Sequence, residues 1–291
     1  MSLSVSMVIP TLNAAAEIGP LLDALQSQSL VPDEVIVVDS ASDDSTVELV
    51  RQRPSVRLIE IEREDFDHGL TRDMALRESR GDIVSFMTQD AVPANNRFLE
   101  NLVAPIAGDP EVAISSGRQL PKQDARRFEQ LVRAFNYTDR SNVRAAADIP
   151  VYGVKTYFAT DVCAAYRRSA YLECGGFGKT DMSEDMLMAA KAIHAGWKVA
   201  YAADAEVYHS HNLTLRQQYE RNRAIGRFLE RNAALLSCAS EVGEGSRLAA
   251  TVASTLLKEK DIPELFAFGA DCVARFLGNR AGRREARRTQ L

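Results

Sequence analysis

Cysteine is scarce and unpatterned in this chain. Four occur among 291 residues, Cys163, Cys174, Cys238 and Cys272, with no Cys-x-x-Cys. That excludes a disulfide framework and the usual zinc spacings, so all four read as small buried hydrophobes of a reducing compartment. No run of about 18 apolar residues occurs, so no membrane-spanning helix is expected. The N-terminus enters directly into a strand pattern, without a signal peptide, which implies a cytoplasmic chain. No G-x-G-x-x-G and no G-x-x-x-x-G-K-[ST] stands at a strand end, so dinucleotide and P-loop sites lack support. Histidine is as rare as cysteine, at four residues, and two of them, His209 and His211, lie one residue apart.

What is present is a large apolar fraction, 46%. That is ample for one large domain, or one domain with a helical extension. The net charge of −5 is unevenly placed. Arg280, Arg283, Arg284, Arg287 and Arg288 against Glu285 put +4 on the tail, leaving −9 on the body. An acidic body argues against general nucleic-acid binding. The tail is either a solvated end or a contact for anionic lipid headgroups.

In the first ninety residues strand and helix patterns alternate. Val5–Ile9, Glu34–Val38, Val56–Ile61 and Ile83–Met87 are short apolar runs, separated by polar turns and helical stripes such as Ile18, Leu21, Leu22 and Leu25. Such alternation predicts a parallel α/β sheet with right-handed crossovers, whose strands are buried on both faces. Further strands are expected at 112–115, 162–166 and 199–201. Residues 117–152 read as polar and irregular around a helix at 126–135, a loop long enough to act as a mobile lid. Helices are expected at 95–106 and 213–236, and Gly175-Gly176-Phe177-Gly178 reads as a turn needing freedom in φ.

Two strands end in carboxylates. Asp39 follows Val35–Val38 and Asp90 follows Ile83–Met87. In an open parallel sheet these ends share one side, where ligands bind. Asp90 is a hard donor suited to Mg²⁺ or Mn²⁺ on a diphosphate, and Asp39 suits a ribose or base. As lone residues they are equally compatible with turn and cap roles. Ser183-Glu184-Asp185 opens a helix, where acidic residues also complement the macrodipole. A neutral imidazole from His209-Ser210-His211-Asn212 can complete a divalent site. Of His209 and His211, one at most is expected to meet the ion.

The opening VIPTLNAAAEIGPLL, the VVDSASDDST turn and the strand ending near Asp90 resemble the family-2 glycosyltransferases of GT-A fold. TQDA, preceded by FDHGLTRD, with FNYTDRSN and GVKTYFATDVCAAYRR beyond, resembles the bacterial rhamnosyltransferase branch over roughly residues 3–230. The usual Asp-x-Asp is here Thr88-Gln89-Asp90, without its first carboxylate, and Asp73 stands where many relatives carry Asn. The resemblance implies a GT-A catalytic domain at 1–212, with a nucleotide-sugar half to about 116 and an acceptor half after it. A C-terminal helical extension then occupies 213–291.

The implied function is inverting transfer of a sugar, L-rhamnose from dTDP-L-rhamnose, to a cell-surface polysaccharide or lipid-linked saccharide. A UDP- or GDP-sugar donor, or a non-catalytic nucleotide-sugar-binding protein, is the alternative. By resemblance Pro10, Thr11, Asn13, Glu17, Asp39, Ser40 and Arg72 meet the nucleotide. Asp90 and His209 hold Mg²⁺ or Mn²⁺, and His211 faces a phosphate or supports the loop. Asp185 is the base beside Glu184, and Gln89, Asp161, Arg167 and His211 fall at the acceptor or its loops. The later apolar stripes, among them Phe266, Val273, Phe276 and Leu277, are core, an oligomer interface or a membrane-surface helix.

Overall fold

A computed structural model describes residues 3–180, 182–236 and 241–289. Cys163, Cys174 and Cys272 are free thiols, and Cys238 lies outside the described residues. The apolar runs of the first ninety residues form the strands they suggest. β1 (Val5–Thr11), α1 (Ile18–Gln26), β2 (Glu34–Asp39), α2 (Thr46–Arg51), β3 (Val56–Glu60), α3 (His68–Glu78) and β4 (Ile83–Met87) follow in order. Their strands align β3-β2-β1-β4, all parallel.

The second half completes the sheet with mixed pairing. It comprises β5 (Val92–Pro93), α4 (Phe98–Gly108), β6 (Val112–Leu120), α5 (Arg127–Asn136), β7 (Asn142–Arg144), α6 (Ile149–Tyr152), β8 (Cys163–Arg167), α7 (Arg168–Glu173), α8 (Glu184–His194) and β9 (Lys198–Tyr208). β8 runs antiparallel between β4 and β6, and β6 pairs in parallel with β9. The short β5 and β7 add to β9 in antiparallel fashion. One face is filled by Leu21, Leu25, Phe98 and Leu102 of α1 and α4, the other by Ala75, Leu76, Tyr171, Met188 and Ile193 of α3, α7 and α8. A sheet covered on both faces is why the central strands carry no polar alternation.

Two expectations change here. β6 runs through Leu120, and β9 is one strand of 11 residues where a short one was expected. Their register shifts between Gly117 and Arg118, and a Cβ at Gly117 would collide with the Ala205 carbonyl. Gly117, lacking a Cβ, is what lets the two strands pass this irregularity. Nor is the following segment a free lid. Phe128 and Val132 of α5 are buried against Val252, Leu256 and Phe268 of the C-terminal helices.

Those helices are α9 (Leu215–Arg231), α10 (Glu241–Glu259) and α11 (Ile262–Thr289). α9 starts later than expected because Thr214 and Gln217 form a capping box at its N-terminus. No described helix is long and apolar enough to cross a membrane.

Candidate active site

The site forms along the carboxyl ends of β1, β2 and β4. Asp39, fully buried, accepts from Thr11 Oγ1 at 2.8 Å, Ser42 N at 2.8 Å and Ser42 Oγ at 2.6 Å. Ser42 Oγ in turn accepts from Asn13 N at 2.8 Å, and Asn13 Oδ1 accepts from Asp43 N at 2.8 Å. Asn13 and Ala41 take positive φ, 51° and 57°. Asp39 thus braces two facing loops into a cradle, and the buried Ser40 hydroxyl there has no protein partner. Pro10 lies half-buried in the same strand end, and Glu17 is exposed at the start of α1. Gln89 clamps this cradle to the end of β4, accepting from Leu12 N at 2.8 Å and donating to Leu12 O at 3.1 Å.

Asp90 meets two histidines. His209 Nε2 and His211 Nε2 each lie 3.4 Å from Asp90 Oδ2. The expectation that one of them at most would face the site fails, because residues two apart along an extended segment project from the same face. The residues after β9 form a loop fastened to the end of β6: His209 N donates to Leu120 O at 2.9 Å, and Ser210 Oγ accepts from Lys122 N at 2.9 Å. The imidazoles converge, ring planes 88° apart and centroids 4.7 Å apart.

Gln119 fixes the tautomer of His209. Its Oε1 accepts from Arg133 Nη1 and its Nε2 donates to Thr160 Oγ1 at 2.8 Å, so Oε1 faces His209 Nδ1 at 2.9 Å as an acceptor. Nδ1 carries the proton and Nε2 offers its lone pair, the outer-shell arrangement of a metal-binding histidine. Burial pushes both imidazoles below their usual range, His211 to about 4 with the neighbouring His209 adding to the effect. Burial works to raise the Asp90 carboxyl, but His209 and His211 outweigh it and hold it well below its ordinary value. One ionised carboxylate and two neutral imidazoles, their ligand atoms within 4.8 Å of one another, fit a single divalent cation such as Mn²⁺.

A three-residue segment joins this cluster to a second one. Thr160 holds Gln119, Val162 O accepts from Thr88 N at 3.3 Å, and Asp161 N between them donates to Asp185 Oδ2 at 3.2 Å. Asp185 sits in the first turn of α8, where Met186 N also donates to it at 2.7 Å. Its neighbour Glu184 is buried and paired with Arg72 Nη1 at 3.1 Å, while Asp185 is half-buried. Burial and the Glu184 charge raise the Asp185 carboxyl to about 7 against its backbone hydrogen bonds. Burial holds the carboxyl of Asp161, deeper still, well above its ordinary range, and Tyr166 Oη donates to it at 2.7 Å. A half-buried carboxylate poised near neutrality suits general-base work.

The sequence matches the glycosyl transferase family 2 over residues 6–175. The chain belongs to that family. It is 42% identical to the O-antigen chain rhamnosyltransferase RfbN of Salmonella typhimurium, over 78% of this chain and 72% of that one. It is 37% identical to the O-antigen chain rhamnosyltransferase WbaN of Salmonella anatum, over 96% and 89%. Among solved structures, the mannosyltransferase PcManGT from Pyrobaculum calidifontis, in complex with GDP-Man and Mn²⁺, superposes with a TM-score of 0.65 at 21% identity. The match covers 96% of this chain and 87% of that one. The fold is GT-A.

Within this family site, two residues, Arg167 and Arg72, stand elsewhere than the sequence suggested. Arg167, expected near the acceptor, lies at the opposite end of the sheet, opposite Ile83 at the start of β4. Its guanidinium donates to the carbonyls of Ile106, Asp109 and Val112, which closes the C-terminus of α4. Gln89 clamps the Leu12 backbone in the loop after β1. Arg72, expected at the nucleotide, is buried with its guanidinium against Glu184 and, at 3.6 Å, Asp161. Asp161 lies in the loop before β8, its backbone N–H donating to Asp185 Oδ2. Gln119 and Thr160 escaped the sequence reading. Their one signal is polar side chains that interrupt apolar strand ends.

Proposed function

We propose that this chain transfers L-rhamnose from dTDP-L-rhamnose, with inversion, to a hydroxyl of a cell-surface polysaccharide or a lipid-linked saccharide. The observation that carries the reading is the half-buried Asp185 joined through Thr160–Val162 to the Asp90–His209–His211 cluster, in a chain 42% identical to an O-antigen rhamnosyltransferase. Residues 1–212 would supply the catalytic unit and 213–291 the helical extension.

In this reading Pro10, Thr11, Asn13, Glu17, Asp39 and Ser40 cradle the nucleoside, and the partnerless Ser40 hydroxyl gains a partner when it binds. Asp90, His209 and His211 would hold Mg²⁺ or Mn²⁺, which would neutralise charge on the donor diphosphate. Asp185 takes the proton of the acceptor hydroxyl as its oxygen attacks C1 of the sugar. The bond from C1 to the diphosphate oxygen breaks, and dTDP leaves on the opposite face. One displacement converts a β-linked donor into an α-linked product. Arg72 pairs with Glu184 behind the base, and Asp161 orients Asp185 through its backbone N–H.

A thermal-shift panel of nucleotide diphosphates and their sugars, with and without Mn²⁺, tests the donor. Binding at a hundredfold excess over Kd stabilises the fold by about 2.7 kcal/mol. The expected result is a shift with dTDP and dTDP-rhamnose that Asp90→Ala abolishes. A shift confined to UDP or GDP compounds would keep glycosyl transfer and remove rhamnose. Binding of dTDP-rhamnose without any turnover would favour a non-catalytic nucleotide-sugar-binding protein.

A further inference from the structure

α11 has two unlike faces along its 28 residues. Phe268, Asp271, Gly278, Gly282 and Ala286 recur every three, four or seven residues and are buried. Gly278 and Gly282, with Gly226 on α9, let the two backbones touch: a Cβ at any of the three would collide with a carbonyl of the other helix. This inner face anchors α11 completely, and Asp271 and Arg275 on it wall a polar pocket of about 190 Å³ beside His211.

The opposite face is a continuous stripe at the same helical spacing. It begins with Ile262, Phe266, Val273, Phe276 and Leu277, all exposed, Phe266 to 76% and Phe276 to 62%. It continues with Arg280, Arg284 and Arg288, which are exposed and make no ion pair among the described residues. Their neighbours Arg283 and Arg287 instead reach Glu230 on α9. The acidic residues of α11 leave the stripe clear: Glu264 pairs with Arg126, Asp271 with Arg275, and Glu285 with Arg223 and Arg227.

We infer that this outer face of α11 docks on an anionic lipid bilayer, Phe266, Val273 and Phe276 entering the boundary between headgroups and acyl chains while Arg280, Arg284 and Arg288 meet headgroup phosphates. Large apolar side chains in line with unpaired arginines fit a surface that is apolar within and anionic at its rim. A second copy of this chain laid along the stripe would have to bury the arginines against one another or against the phenylalanines. Docking would put the pocket beside His211 one helix thickness, about 10 Å, from the bilayer. The inference rests on α11 alone and holds whichever sugar is transferred.

Co-sedimentation of the full chain with phosphatidylglycerol–phosphatidylcholine vesicles tests it, with pure phosphatidylcholine as control. The expected result is salt-sensitive binding to the anionic vesicles alone. Binding should fall at least tenfold in Phe266→Asp/Phe276→Asp and in Arg280→Glu/Arg284→Glu/Arg288→Glu, with dTDP binding and melting temperature unchanged. Phe266→Trp, in a Trp197→Phe background, should blue-shift its emission on adding the anionic vesicles. No vesicle binding by the wild type, or equal binding by both variants, overturns the inference. So does a dimer in light scattering that Phe266→Asp/Phe276→Asp dissociates, which would assign the stripe to a second copy.

Discussion

Adjacent carboxylates in one helical turn serve different ends because their surroundings differ. Glu184 is buried against the Arg72 guanidinium and stays with it. Asp185 has only backbone donors, and burial raises it to about 7. A base must be unprotonated to work, so kcat/KM is expected to fall as pH drops through about 7. Asp185→Asn is expected to lose 10²- to 10⁴-fold in kcat while keeping its dTDP thermal shift. Stability moves the other way. A carboxyl raised above its unfolded value lets the native state bind more protons between the two values, so Asp185 costs stability as pH rises through that window. Asp185→Asn should therefore melt higher than the wild type at pH 8, with the gap closing toward pH 4. His209 provides a second residue-scale test. With Gln119→Met, Nδ1 loses its acceptor, and the Mn²⁺ concentration giving half-maximal donor turnover should rise 10- to 100-fold. An unchanged Mn²⁺ titration would remove His209 from the metal site.

At the scale of elements, the parallel half was legible and the mixed half was not. β2 and β4 are unbroken apolar runs ending in Asp39 and Asp90, so composition alone placed them and the side of the sheet they serve. β6 and β9 hide behind Gly117 and a register shift, which break the sequence pattern without breaking the sheet. The convergence of His209 and His211 was readable, since residues two apart in an extended segment share a face, but their tie to the end of β6 about ninety positions earlier was not. The role proposed for Asp185 came only from its family motif, because nothing in Ser-Glu-Asp distinguishes a base from a helix-terminal acid. The α9–α11 contact belongs to this scale too. Gly226→Ala forces a methyl into the Asn279 carbonyl and is expected to destabilise the fold by about 1–3 kcal/mol, measured by urea denaturation. A neutral result would mean that the helices separate at little cost.

Across the whole molecule, chemistry and placement are divided. Asp39 and Asp90 come from the parallel half, and the mixed half returns Asp185 and the two histidines to the same strand ends, as open α/β sheets place their ligands. The helical extension then closes one side of the site and sets a basic, apolar-edged face outward from an acidic body. Single-displacement transfer of rhamnose driven by Asp185 would show in the proton NMR of the glycoside formed from dTDP-β-L-rhamnose by the wild type and by Asp185→Asn. An α-linked rhamnoside from the wild type and none from the variant is the predicted result. A β-linked product, or comparable turnover by Asp185→Asn, would contradict it.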